Sequence, residues 1–98
     1  MTDMNTVDDR LKWFVEWMRN KLAQPKNLAK GDWRNDSDSD LFGRIEAEMR
    51  ELKTELFDAE SPDPEKIIKE CADVANFCFM LADFVRSNPN NYLSEEGP

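Results

Sequence analysis

Two pairs of acids carry the strongest chemical signal in the chain. Glu48 and Glu51 fall in "AEMRE", residues 47 to 51, and Glu70 and Asp73 in "ECAD", residues 70 to 73. Each pair has a three-residue spacing. On a helix, at about 100° per residue, such neighbours stand about 60° apart and one turn apart. If the two helices pack antiparallel, as a short hinge favours, the pairs can meet. Four carboxylates with no lysine among them repel, and a hard divalent cation relieves that repulsion. All-oxygen ligation suits magnesium, with manganese as a substitute.

A Glu-x-x-Glu pair is common on solvated helix faces and by itself marks nothing. Asp73 is more telling. Ala72, Val74, Ala75, Phe77 and Cys78 around it are apolar, and a carboxylate on such a helix is costly unless it is paired. Its partner is either a lysine or arginine in a structural ion pair, or a metal ion. Asn76, one further 60° step round, is either a satisfied core amide or a ligand contact.

The elements that must position these acids read as helices. Val7, Leu11, Phe14, Val15, Met18 and Leu22 follow helical spacing and predict a first helix over 6–24. Thr6 is its expected N-cap, Asp8 and Asp9 lie in the first turn, and Pro25 ends it. Trp13 and Trp17 lie off that stripe, and a helix with two apolar faces calls for two partners. Residues 24–40 read as a polar loop. Trp33 stands alone there, either an anchor tucked into the core or part of a ligand pocket. A second helix is expected from near Ser37 or Ser39 to about Ala59, with Leu41, Ile45, Met49, Leu52 and Leu56 as its buried seam. A third is expected over 64–87, with Asp63 as cap and Pro64 in the first turn. No strand-like alternation and no repeat interrupts this all-α pattern. The organisation expected is one domain over 1–88 and a loose tail over 89–98.

Bulk properties narrow the function. The chain has 98 residues, 40% hydrophobic and 35% charged, and a net charge of −8. An acidic balance disfavours nucleic acid as a partner. It leaves phosphate ligands open if a cation accompanies them. With no histidine, most zinc sites, histidine-based catalysis and the Glu-x-x-His di-iron pattern are removed. No apolar run suits a membrane span and no basic-then-apolar leader opens the chain, so a cytoplasmic protein is expected. Cys71 and Cys78, about 10 Å apart on one helix, are too far for a disulfide and are expected to be buried free thiols.

"AEMRE" followed by "ECAD" resembles the Glu-Glu-x-x-Glu … Glu-x-x-Asp signature of the MazG-like all-α nucleoside triphosphate pyrophosphohydrolases. "KGDWRNDSDSDLFGRIEAEMRELKTEL" and "ECADVANFCFMLAD" look like the short, single-domain branch of phages and bacteria, and the resemblance covers roughly residues 28 to 86. One position departs: Ala47 stands where the family has the first acid of its leading pair. The resemblance implies a helical bundle of three long helices per chain, completed by oligomerisation into a dimer or tetramer. It implies a magnesium-dependent cut between the α and β phosphates of a nucleotide, giving a nucleoside monophosphate and pyrophosphate. Glu48, Glu51, Glu70 and Asp73 would be the metal residues, with Glu51 as acceptor of the attacking water's proton. Trp33 and Phe77 match positions that contact the base in related enzymes, Asn76 would bond to sugar or base, and Lys30, Arg34 and Arg86 are candidates for the phosphates. The competing expectation is a non-enzymatic helical interaction module on the same scaffold. An oxygen-activating di-metal protein is disfavoured by the missing histidines.

Overall fold

The computed structural model describes residues 2–93, and every regular element among them is helical. Three long helices, α1 (Met4–Leu22), α3 (Asp38–Lys53) and α4 (Pro64–Ser87), are joined by a short α2 (Pro25–Leu28) and single turns. None of them is long and apolar enough to cross a membrane. The residues 94–98 of the expected loose tail lie outside the described residues. Its first part, Pro89–Tyr92, forms a 3-10 turn whose Tyr92 hydroxyl donates to Asp38 Oδ2 at 2.7 Å.

Local side chains set the helix starts. α4 begins as expected, with the Asp63 carboxylate accepting the Glu65 N–H and Pro64 in the first turn. The Ser37 hydroxyl accepts the Asp40 N–H to start α3, and Asp38 and Asp40 complement the positive end of the helix dipole. α1 departs from expectation. Asp3, not Thr6, is its cap, because the Asp3 carboxylate accepts the Thr6 N–H at 2.9 Å and draws Thr6 into the first turn. Pro25 does not abut α1 but opens α2, an extra turn inside the expected loop. Gly31, at φ +83°, then reverses the chain in a conformation that L side chains rarely adopt. α3 runs on through a π-helical turn, Thr54–Asp58.

α4 is the middle of the molecule. It packs against α3 on one side and α1 on the other, while α1 and α3 do not pack directly on each other among the described residues. Both packings are antiparallel. Trp33 and Asp38, at the start of α3, bond to Asp83 and Tyr92 near the end of α4, while Glu48 meets Glu70 further along. On the other side Met18 of α1 meets Asn76 and Lys21 meets Asp73.

A helix with one neighbour buries a narrow stripe, and this corrects the expected seams. Leu41, Ile45 and Ala72 are the buried apolar residues among those described. The inward line of α3 is Leu41, Ile45, Glu48, Leu52 and Glu55, whereas Met49 and Leu56 point outward and are exposed. On α1, Val7, Phe14, Met18 and Leu22 are half-buried as expected. Leu11 and Val15 are exposed and Trp17 takes a half-buried place, with Trp13 standing edge-on to it and exposed. Both cysteines are free, but Cys71 is only half-buried and Cys78 is exposed, because the apolar side of α4 that bears them is left partly uncovered.

The single chain is open for its size. Its radius of gyration is 16.4 Å, against about 13 Å for a compact chain of this length. Its accessible surface is 7703 Å², where a compact monomer of this mass exposes about 5800 Å².

Candidate functional site

A cavity of about 650 Å³ opens where the end of α1, the α2 turn, α3 and α4 converge. Antiparallel packing brings both acid pairs to its wall, as their spacing predicts. Glu48, Glu51 and Glu70 each offer an oxygen, all within 4.8 Å of one another. Glu48 and Glu70 are half-buried and Glu51 is exposed. Asp73 lines the same cavity but stands outside this trio. Its Oδ2 lies 3.5 Å from Nζ of Lys21, in the last turn of α1.

The cluster is electrostatically frustrated. Burial, a hydrogen bond with Glu51 and the charges of Asp73, Glu51 and Glu70 push the Glu48 carboxyl up to about 7. Burial and the neighbouring carboxylates Asp73 and Glu51 also raise Glu70, and Lys21 opposes the shift. Burial raises Asp73, again against Lys21. One oxygen each of Glu48 and Glu70 is buried with no hydrogen-bond partner. Glu48, Glu51 and Glu70 are the residues that could hold a small hard cation, which takes oxygen ligands.

The rest of the wall is mixed. Trp33, Asn76, Phe77 and Lys30, all singled out by sequence, line the cavity. Trp33 is both anchor and wall: its indole N–H donates to Asp83 Oδ2 at 3.0 Å and its ring meets Phe79 edge-on at 5.6 Å. Asn76 is buried. Its Nδ2 donates to the Met18 carbonyl at 3.1 Å, which fixes the amide and leaves Oδ1 without a partner. The Arg44 guanidinium lies 5.8 Å from the centre of the Phe77 ring.

Two expected phosphate residues are elsewhere. Arg34 and Arg86 do not line the cavity. Arg34 is folded onto Asp32, two residues away, and Arg86 onto Asp83, one turn away. Local carboxylates took them, and the Asp83–Arg86 pair could have been read from its i,i+3 spacing on a helix. In their place the cavity has Arg19 and Lys21 of α1, Lys26 of α2 and Arg44 of α3. Sequence reasoning missed these four. Only Arg44 carried a local signal, one turn before Glu48 on the same helix face.

In comparisons with protein-family models, curated proteins and solved structures, the chain matches none.

Proposed function

We propose that the chain is a nucleoside triphosphate pyrophosphohydrolase of the MazG-like all-α kind, working with magnesium. The observation that carries this reading is a single cavity in which two acid pairs from different helices meet, beside two aromatic rings and a cationic rim. In a chain of net charge −8, Arg19, Lys21, Lys26, Lys30 and Arg44 all border this one cavity. Acids and cations around the same cavity suit a ligand that is itself anionic and arrives with a divalent ion.

Glu48, Glu51 and Glu70 would hold magnesium, with Asp73 joining them, and the unpaired oxygens of Glu48 and Glu70 fit that role. When bound, the ion supplies neutralisation of phosphate charge and polarisation of the reacting phosphorus. Glu51, the solvent-facing member of the trio, takes the proton of a water. The water oxygen bonds to the α phosphorus and the bond to the α–β bridging oxygen breaks. Pyrophosphate leaves and a nucleoside monophosphate remains. Trp33 and Phe77 sandwich or flank the base, and Asn76 Oδ1 accepts a hydrogen bond from sugar or base. Lys30 and the α1–α2 cations hold the phosphates.

The active form is an oligomer. The surface in excess of a compact monomer, about 1900 Å² from the scaling above, is of the order that a stable subunit interface covers. The second reading is a helical interaction module, favoured by the uncovered apolar residues and by Ala47. Pyrophosphate release from a panel of ribo- and deoxyribonucleoside triphosphates, with magnesium and with chelator, separates the two. The enzyme releases pyrophosphate only with the metal, and the module releases none.

A further inference from the structure

Lys21 is the cation that the structure sets among the acids. It comes from a different helix, its side chain is only 29% exposed, and its Nζ is 3.5 Å from Asp73 Oδ2. The amine also lies on the cavity wall, next to the space a polyanion would fill. We propose that Lys21 is an exchangeable counter-ion: it holds Asp73 while the site is empty, yields that carboxylate to the divalent ion, and turns to the phosphate that arrives with it. This rests on the metal-dependent reading of the cavity and adds to it a coupling between metal and phosphate.

Three observations point this way. The Nζ–Oδ2 distance of 3.5 Å is long, where a committed charge-assisted pair would be shorter. Lysine is a point charge on a flexible stem, so it can serve two acceptors in turn where the fixed fork of arginine would not. Lys21 also serves Asp73 without satisfying the rest of the cluster, since oxygens of Glu48 and Glu70 stay buried and unpaired.

The exchange makes effects of opposite sign in one variant. Lys21→Met removes a competitor for Asp73, so magnesium alone should bind about threefold to tenfold more tightly. The same variant should bind inorganic triphosphate, at saturating magnesium, about tenfold more weakly. Lys21→Arg keeps the charge and should change magnesium binding little. Isothermal titration calorimetry with magnesium chloride and then inorganic triphosphate reads both, and circular dichroism checks folding. Unchanged or weaker magnesium binding by Lys21→Met overturns the exchange, as does unchanged triphosphate binding. A wild-type chain that takes up no magnesium overturns the metal reading, and the exchange with it. Should Lys21→Met not fold, Asp73→Asn gives an independent test without metal. Releasing Lys21 should strengthen triphosphate binding, and adding Lys21→Gln should reverse most of that gain. A gain that survives in the double variant would come from the lost acid alone and would overturn the exchange.

Discussion

Glu48 holds its proton to about 7 because it sits half-buried among three other acids. The unfolded chain releases that proton in the ordinary carboxylate range. Between those limits the folded state binds more protons, so stability must fall as pH rises. Thermal melts in chelator should therefore give a lower Tm at pH 8 than at about pH 6, and Glu48→Gln should flatten the slope. A metal-free Tm that climbs over this range would refute the frustrated cluster. Asp73 makes a second test. Its partner Lys21 can reach water, so Asp73→Asn should cost less than about 1 kcal/mol or even stabilise the metal-free protein, while abolishing pyrophosphate release. A loss of roughly 3–5 kcal/mol would instead mark a buried structural ion pair. Asp73 pairs with a lysine in the structure and, by our proposal, with a metal in the working site. The lysine was not legible, because it comes from another helix and nothing local links the two.

The ends of α4 were legible in the sequence because local chemistry sets them: Asp63 and Pro64 at the start and Pro89 just beyond the end. The start of α3 was legible in Ser37 for the same reason. The inward face of α3 was not. Apolar spacing assigned Met49 and Leu56 to the interior, whereas Glu48 and Glu55 lie on the line through Leu41 and Ile45. An acidic site placed on the packing face displaces the pattern that hydrophobicity alone would draw. Leu41, wholly buried, should cost about 2–5 kcal/mol when cut to alanine. Met49→Ala should cost under about 0.5 kcal/mol in dilute, dissociated protein. Urea unfolding of both variants at several protein concentrations checks this. If Met49 belongs to a covered face, its cost rises with concentration while that of Leu41 at low concentration is already full.

At the scale of the molecule, three helices form a layer, and a layer buries little. Phe42, Met49 and Leu56 recur at seven-residue spacing along one side of α3, and all three are exposed. Leu11, Trp13 and Val15 are exposed on α1. Patches of this kind mark surfaces that other molecules cover. Light scattering at micromolar concentration should give at least twice the chain mass, and a stable, well-folded monomer would refute this. The all-helical class was legible from periodicity. The openness of the chain was not, because apolar spacing shows that a helix has a packing face and not which molecule provides its partner.

By our proposal the acid pairs and the aromatic rings around one cavity make a nucleotide-cleaving site. Pyrophosphate release from a nucleoside triphosphate panel tests it most directly, comparing wild type with Glu51→Gln in magnesium and in chelator. Wild type should release pyrophosphate with magnesium, with monophosphate formed one for one, and none in chelator. Glu51→Gln should be slower by about a hundredfold or more. A folded wild-type protein that releases no pyrophosphate from any member of the panel, or releases it equally well in chelator, would contradict it.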